Sequence, residues 1–210
     1  MPLLLPRERT AIVVVECQND LLDESNIGKA GISKALAATA KDRQLLAKIS
    51  GLLTTARQAG VPVVYANKES KPGIPVTSAP IFRIGRRFPI LQEGTWGAQV
   101  HSAIAPKPGD HVLRRFLAVD PSGDSSLFAT LRALNRDLIV AMGVSTNFAV
   151  EGMVRGAVNN LFEVVVVEDC CASVPHELHR FSVERILPLL ATVSGSTEVN
   201  AALEAARADQ

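Results

Sequence analysis

The chain has 210 residues, 47% hydrophobic and 20% charged, with 22 lysines and arginines against 21 aspartates and glutamates. That length and apolar fraction build one buried core and exclude disorder, while a formal net charge of +1 leaves no basic field for nucleic acid or an anionic membrane. No run approaches the roughly 18 apolar residues of a membrane span, Met1–Pro6 is too short for a signal peptide, and three cysteines, two adjacent, make no disulfide framework. A single soluble cytoplasmic domain over residues 1–210 is therefore expected.

Thr10–Glu16 is an unbroken apolar, β-branched run closed by one carboxylate, which reads as a strand buried on both faces. Between Ile32 and Ala59 the positions Leu45, Leu46, Ile49, Leu52, Leu53 and Ala56 recur at helical spacing, with Gly60 as the C′ residue. Val61–Ala66 predicts a second strand. Residues 70–98, with four prolines and four glycines, predict an irregular insertion of the kind that carries function or meets a partner. Strand His111–Val119, helix Leu127–Leu134, strand Leu138–Met142, helix Asn147–Asn160 and strand Glu163–Glu168 follow. A helix near His176–Leu187, a strand Ala191–Ser194 and a helix from about Glu198 complete the pattern. Such alternation builds βαβ units with right-handed crossovers. The expected fold class is α/β, a three-layer α/β/α sandwich on a mostly parallel six-stranded sheet.

Ligands of such sheets sit beyond the carboxyl ends of the strands. The segments there are Glu16–Asp20, Asn67–Ser70, Gly143–Asn147 and Glu168–Ser173, all polar. Glu16 ends an apolar strand and so needs a partner or a raised pKa. Arg114 and Arg115 interrupt another strand and are candidate partners, and a purely structural ion pair explains the same pattern. The run Gly143–Asn147 leads from strand to helix, where backbone N–H groups meet an anion or a carbonyl oxygen.

Taken together, three segments resemble the isochorismatase-like hydrolases, the cysteine hydrolase superfamily. They are Val13–Asp20, Glu93–Ala98 with Pro108–Val112, and Gly143–Glu151 with Arg155, Val165–Ser173 and Glu177–His179. The likeness runs in order through roughly residues 8–190 and implies that family's sandwich fold. It further implies a site of aspartate, lysine and nucleophilic cysteine, and this chain departs at each position. Glu16 stands for the aspartate. Arg115 stands for the lysine by its spacing from Asp110, with Arg114 the alternative. Ala149 stands for the cysteine, so covalent thioester chemistry at that position is excluded.

Cys17 alternates away from Glu16 along its strand, and Cys170 and Cys171 read as buried small side chains. His101, His111, His176 and His179 lack ligand spacing on one face, and His179 reads as a packing or capping residue. No metal or other cofactor is expected. The resemblance implies that a member without the cysteine uses its acidic residue. Isochorismatases cleave a vinyl ether, which needs protonation of the enol carbon rather than a thiol, and Glu16 is the candidate acid. Gln18, Arg87, Trp96, Ser145, Thr146 and Asn147 are candidate substrate contacts, with Arg83 and Arg86 as further carboxylate partners. A small molecule is the expected ligand, and neither nucleic acid nor membrane a partner. The family habit and the apolar residues of 70–98 imply a homo-oligomer, dimer or higher, that uses this segment or the helix following Thr146. The alternative is a catalytically inactive binding or assembly protein that keeps the pocket.

Overall fold

The computed structural model describes residues 2–28, 31–87 and 89–208, without the side chains of 27–28, 84–87 and 208. Its strands are β1 (Thr10–Val15), β2 (Val63–Lys68), β3 (His111–Arg115), β4 (Leu138–Val144), β5 (Glu163–Ala172) and β6 (Thr192–Ser194). Its α-helices are α1 (Asn19–Leu22), α2 (Ile32–Asp42), α3 (Leu45–Gln58), α4 (Pro80–Arg87), α5 (Pro121–Asp124), α6 (Leu127–Ala133), α7 (Glu151–Asn159), α8 (His176–Phe181) and α9 (Ser196–Ala208). The strands form one sheet in the order β3-β2-β1-β4-β5-β6, every pair parallel.

The two central strands, β1 and β4, are buried along their whole length, as continuous apolar sequence requires when helices cover both faces. Alternation splits their side chains into two cores. Ile12, Val14, Val140 and Met142 pack with Leu36, Leu45, Ile49, Leu53 and Leu203 of α2, α3 and α9. Ala11, Val13, Val15, Ile139 and Ala141 pack with Leu127, Leu131, Met153 and Val154 of α6 and α7. The result is the three-layer α/β/α sandwich.

Several boundaries differ from the sequence reading, each for a local reason. The first strand stops at Val15 because Glu16 turns into the left-handed region, φ +51°. The stripe from Ile32 to Ala59 is two helices, broken where Gln44 takes φ +53°. The second strand is shifted two residues, to Val63–Lys68. The irregular segment 70–98 contains α4. The third strand ends at Arg115 rather than Val119, because the N–H groups of Phe116, Leu117 and Ala118 all turn to the Asp124 carboxylate. The helix expected from Asn147 opens with one wide π turn, Thr146–Val150, before α7. The plainest strand runs four residues further, to Ala172.

Gly143 locks β4 to β1. Its φ is +125°, and an added Cβ would stand 2.1 Å from the Val15 carbonyl oxygen, so neither the conformation nor the space admits a side chain. Gly51, inside α3, has nothing within 4 Å of the same position. Gly143→Ala is expected to cost about 3 kcal/mol through strain and overpacking, while Gly51→Ala gains about 0.5–1 kcal/mol of helix propensity. Urea midpoints of the two variants against the natural chain check this, and equal midpoints would contradict it.

Candidate active site

The strand order reverses between β1 and β4, and a doubly wound sheet holds its ligand in the crevice opened there. Glu16 stands at this mouth. Its left-handed backbone is uncommon for a residue with a Cβ and marks a site that the surroundings force. The Glu16 N–H donates to the Ala66 carbonyl at 3.2 Å, fixing it against β2.

Arg115 Nη2 donates to Glu16 Oε1. Arg115 also donates from Nη2 to the Val119 carbonyl at 2.7 Å and from Nε to the Ala118 carbonyl at 3.3 Å. Its side chain is 1% exposed and that of Glu16 is 14%, so the arginine is sealed under the mouth and the carboxylate reaches it. Arg115 Nη1 is buried with no hydrogen-bond partner among the described residues. Burial drives the Glu16 carboxyl above its ordinary range, with Arg115 and Lys68 pulling it down and Asp120 adding to the upward push. Arg114 faces the other way and pairs with Glu69 at 3.4 Å, so Arg115 is the one at Glu16.

The loop after β3 is held by Asp124, whose carboxylate accepts from the N–H groups of Phe116 (2.7 Å), Leu117 (2.7 Å) and Ala118 (2.8 Å). Burial raises the Asp124 pKa, but these three bonds outweigh it and hold the group below the usual carboxylate range. Asp120 caps α5 through the Ser122 N–H at 2.8 Å. It lies so close to α7 that a Cβ on Gly152 would fall 2.6 Å from its Oδ2.

Lys68 completes the cluster; the sequence places Asn67–Ser70 at the strand ends but singles out no residue within it. It is the cross-strand partner of Arg115. Its Nζ donates to the Phe116 carbonyl and lies 5.6 Å from the centre of the Phe82 ring on α4. Partial burial lowers its pKa, Arg115 lowers it further, and Asp124 and Glu16 oppose them. A lysine two residues beyond an apolar run, on the strand that pairs with the one closed by a lone glutamate, is the signal that would find it.

The remaining candidates divide. Ala149 is buried, packed in the same layer as Val13 and Val15. Ser145 is buried at the start of the π turn, its carbonyl accepting from Phe148 and Val150 N–H. Thr146 is spent on His179, Oγ1 to Nδ1 at 2.9 Å, and Asn147 Oδ1 accepts from the Ser173 hydroxyl. Gln18 is fully buried. Its Nε2 donates to the carbonyls of Lys68 (2.8 Å) and Ala98 (2.7 Å), and its Oε1 accepts from the Lys68 N–H at 3.0 Å. Three of the four hydrogen-bonding positions of that amide are used by backbone, so Gln18 clamps β2 to the Trp96–Ala98 turn. Trp96 is 51% exposed. The side chains of Arg86 and Arg87 lie outside the described residues, and Arg83 is exposed.

All three thiols are buried. Burial raises the Cys17 and Cys170 pKa values far above the usual thiol range and pushes Cys171 up to about 12, so none is a thiolate near neutrality. His179 is likewise buried. Desolvation, with Arg43 and His176 nearby, lowers its pKa to about 4. Its Nε2 faces Glu168 Oε2 at 3.8 Å, and Arg43 reaches the same Glu168 at 3.3 Å. This network ties the π turn to β5 and to the α2–α3 junction.

The isochorismatase domain model matches residues 10–198. The ureidoacrylate amidohydrolase RutB of Methylobacterium radiotolerans is 26% identical over 96% of this chain and 82% of its own. The maleamate amidohydrolase of Pseudomonas putida is 30% identical over 64% of each. Among solved structures, a cysteine hydrolase from Pseudomonas syringae superposes with a TM-score of 0.80 at 24% identity, covering 98% of this chain and 99% of that one. N-carbamoylsarcosine amidase from Thermoplasma acidophilum gives 0.70 at 26% identity, covering 90% and 96%.

Because His179 is held neutral in the fold but titrates near 6.5 when unfolded, the unfolded chain binds the extra proton first. Stability is then full above about pH 6.5 and falls towards pH 4, by up to about 3 kcal/mol for this one group. Denaturation curves between pH 7 and 4 should show that slope, and His179→Gln should flatten it. An unchanged slope in the variant would remove His179 from the acid response.

Proposed function

We propose that this chain, which belongs to the isochorismatase family, is a hydrolase of a small carboxylate-bearing molecule that uses Glu16 as general acid and forms no thiol intermediate. The observation that carries this reading is the Glu16 carboxyl. It sits at the topological switch point in a strained backbone, reaches the mouth, and is driven towards its neutral form by burial. The names of the relatives support the substrate class, since ureidoacrylate, maleamate and N-carbamoylsarcosine are all small carboxylates.

In this mechanism the neutral Glu16 protonates the substrate, as a vinyl ether requires at its enol carbon. Water adds to the oxocarbenium ion that results and returns a proton to the Glu16 carboxylate, and the hemiketal collapses with cleavage of its C–O bond to release the alcohol and the keto acid. Arg115 meets the newly formed carboxylate at full charge, which stabilises the conjugate base and lowers the barrier to proton release. Arg115 is sealed beneath Glu16, so it acts through that residue as a positioning group. The vacant position at Ala149 and the sealed arginine also favour a second reading, a small-ligand-binding protein in which the pair is structural. One comparison separates the two. With isochorismate and a panel of small amides as substrates, Glu16→Gln is expected to lower turnover about 100-fold or more. Turnover that survives the change removes Glu16 from the mechanism, and no turnover by the natural chain favours the binding protein.

The same reading includes a homo-oligomer. Leu91 is buried and Ile90 packs on the core, so segment 70–98 offers less free apolar surface than its sequence implies. Phe148 on the π turn and Leu178 and Phe181 on α8 are exposed instead, on elements that pack against each other. Light scattering at micromolar concentration should give a mass above one chain, reduced by Phe181→Asp. A monomeric natural chain would contradict it.

A further inference from the structure

Two cations face each other across the ends of β2 and β3. Lys68 and Arg115 are directly paired in the ladder, an arrangement that like charges make unfavourable unless anions offset it. The described residues supply one such anion for Arg115, which holds Glu16. Asp124 is the other nearby carboxylate, and three backbone N–H groups occupy it. Asp120 points at Gly152 and Ser122. Among the described residues Lys68 has no carboxylate within salt-bridge distance, and its ammonium makes one hydrogen bond, to the neutral Phe116 carbonyl. Two of its three N–H donors are left over. Lys68 is half-buried whereas Arg115 is 1% exposed. Phe82 of α4 roofs the ammonium from one side, which shields it from water and strengthens any ion pair formed there.

From this we infer that Lys68 is the substrate-facing cation of the site: it binds the carboxylate of the ligand, selects anionic over neutral substrates, and leaves Arg115 to hold Glu16. The inference rests on the reading of these strand ends as the active site, and deepens it by naming what recognises the acid group. An arginine in this role would keep its charge at any working pH. A lysine crowded by Arg115 and partly desolvated, with Glu16 and Asp124 opposing, loses its charge at a lower pH than a free lysine. Affinity for an anion should therefore decline as pH rises through that lowered value.

Calorimetric titration with two probes of one shape, maleamate and its neutral diamide, tests this. The natural chain is expected to bind maleamate about 10-fold or more tightly than the diamide, the scale of a charge-assisted hydrogen bond. Lys68→Met should bind both alike. Lys68→Arg should keep the preference and extend it to higher pH, a shift that a purely structural lysine would not produce. A preference that persists in Lys68→Met overturns the inference while leaving the active-site reading intact, provided Glu16→Gln still lowers turnover. Failure of the natural chain to bind either probe overturns both.

Discussion

The ion pair between Glu16 and Arg115 is the constraint around which the strand ends are arranged. Taking a guanidinium and a carboxyl group out of water costs free energy in either state of the carboxyl, and their contact repays this only when the remaining donors and acceptors are also satisfied. Much of the local architecture does that satisfying. The carbonyls of Ala118 and Val119 take up Arg115, and the left-handed turn at Glu16 brings its carboxylate within reach. The strand β3 stops where it does because its next three N–H groups belong to Asp124. A pair assembled at that expense, at the switch point of the sheet, is poorly explained by stability alone, since well-packed apolar residues hold a strand mouth at least as well.

How much of this was legible in the sequence depended on how local the determining interaction is. The central strands were plain because burial on both faces writes a continuous β-branched run, as in Thr10–Val15 and Leu138–Val144. The helix break at Gln44 was hidden, since Lys41, Asp42, Arg43 and Gln44 are all tolerated in helices and only the backbone angle reveals the turn. The end of β3 was equally hidden. Phe116, Leu117 and Ala118 continue the chain with no turn signal, and the carboxylate that takes their N–H groups lies several positions further on.

The site shows the same division. Glu16 stands out because a carboxylate closing an apolar run needs a partner, structural or catalytic, and spacing alone leaves the choice between Arg114 and Arg115 open until side-chain direction settles it. Gln18 looked like a ligand contact because it is polar and lies at the right address, yet its amide is consumed by backbone on three sides. Lys68 was overlooked for the converse reason. Lysines after strands are common on surfaces, and only the sheet order, which places β2 between β1 and β3, shows that this one is flanked by both halves of the ion pair.

Asp124 does something for the site that its position outside the mouth conceals. The N–H that Leu117 gives to its carboxylate belongs to the same peptide unit as the Phe116 carbonyl, so gripping the one turns the other away from Asp124 and towards Lys68. That unit works as an aligned peptide dipole with an anion at one end and the Lys68 cation at the other. Part of the charge of Lys68 is offset along this dipole rather than by a carboxylate in contact with it. Whatever loosens the grip of Asp124 therefore also turns the Phe116 carbonyl, and Lys68 loses its hydrogen bond with it.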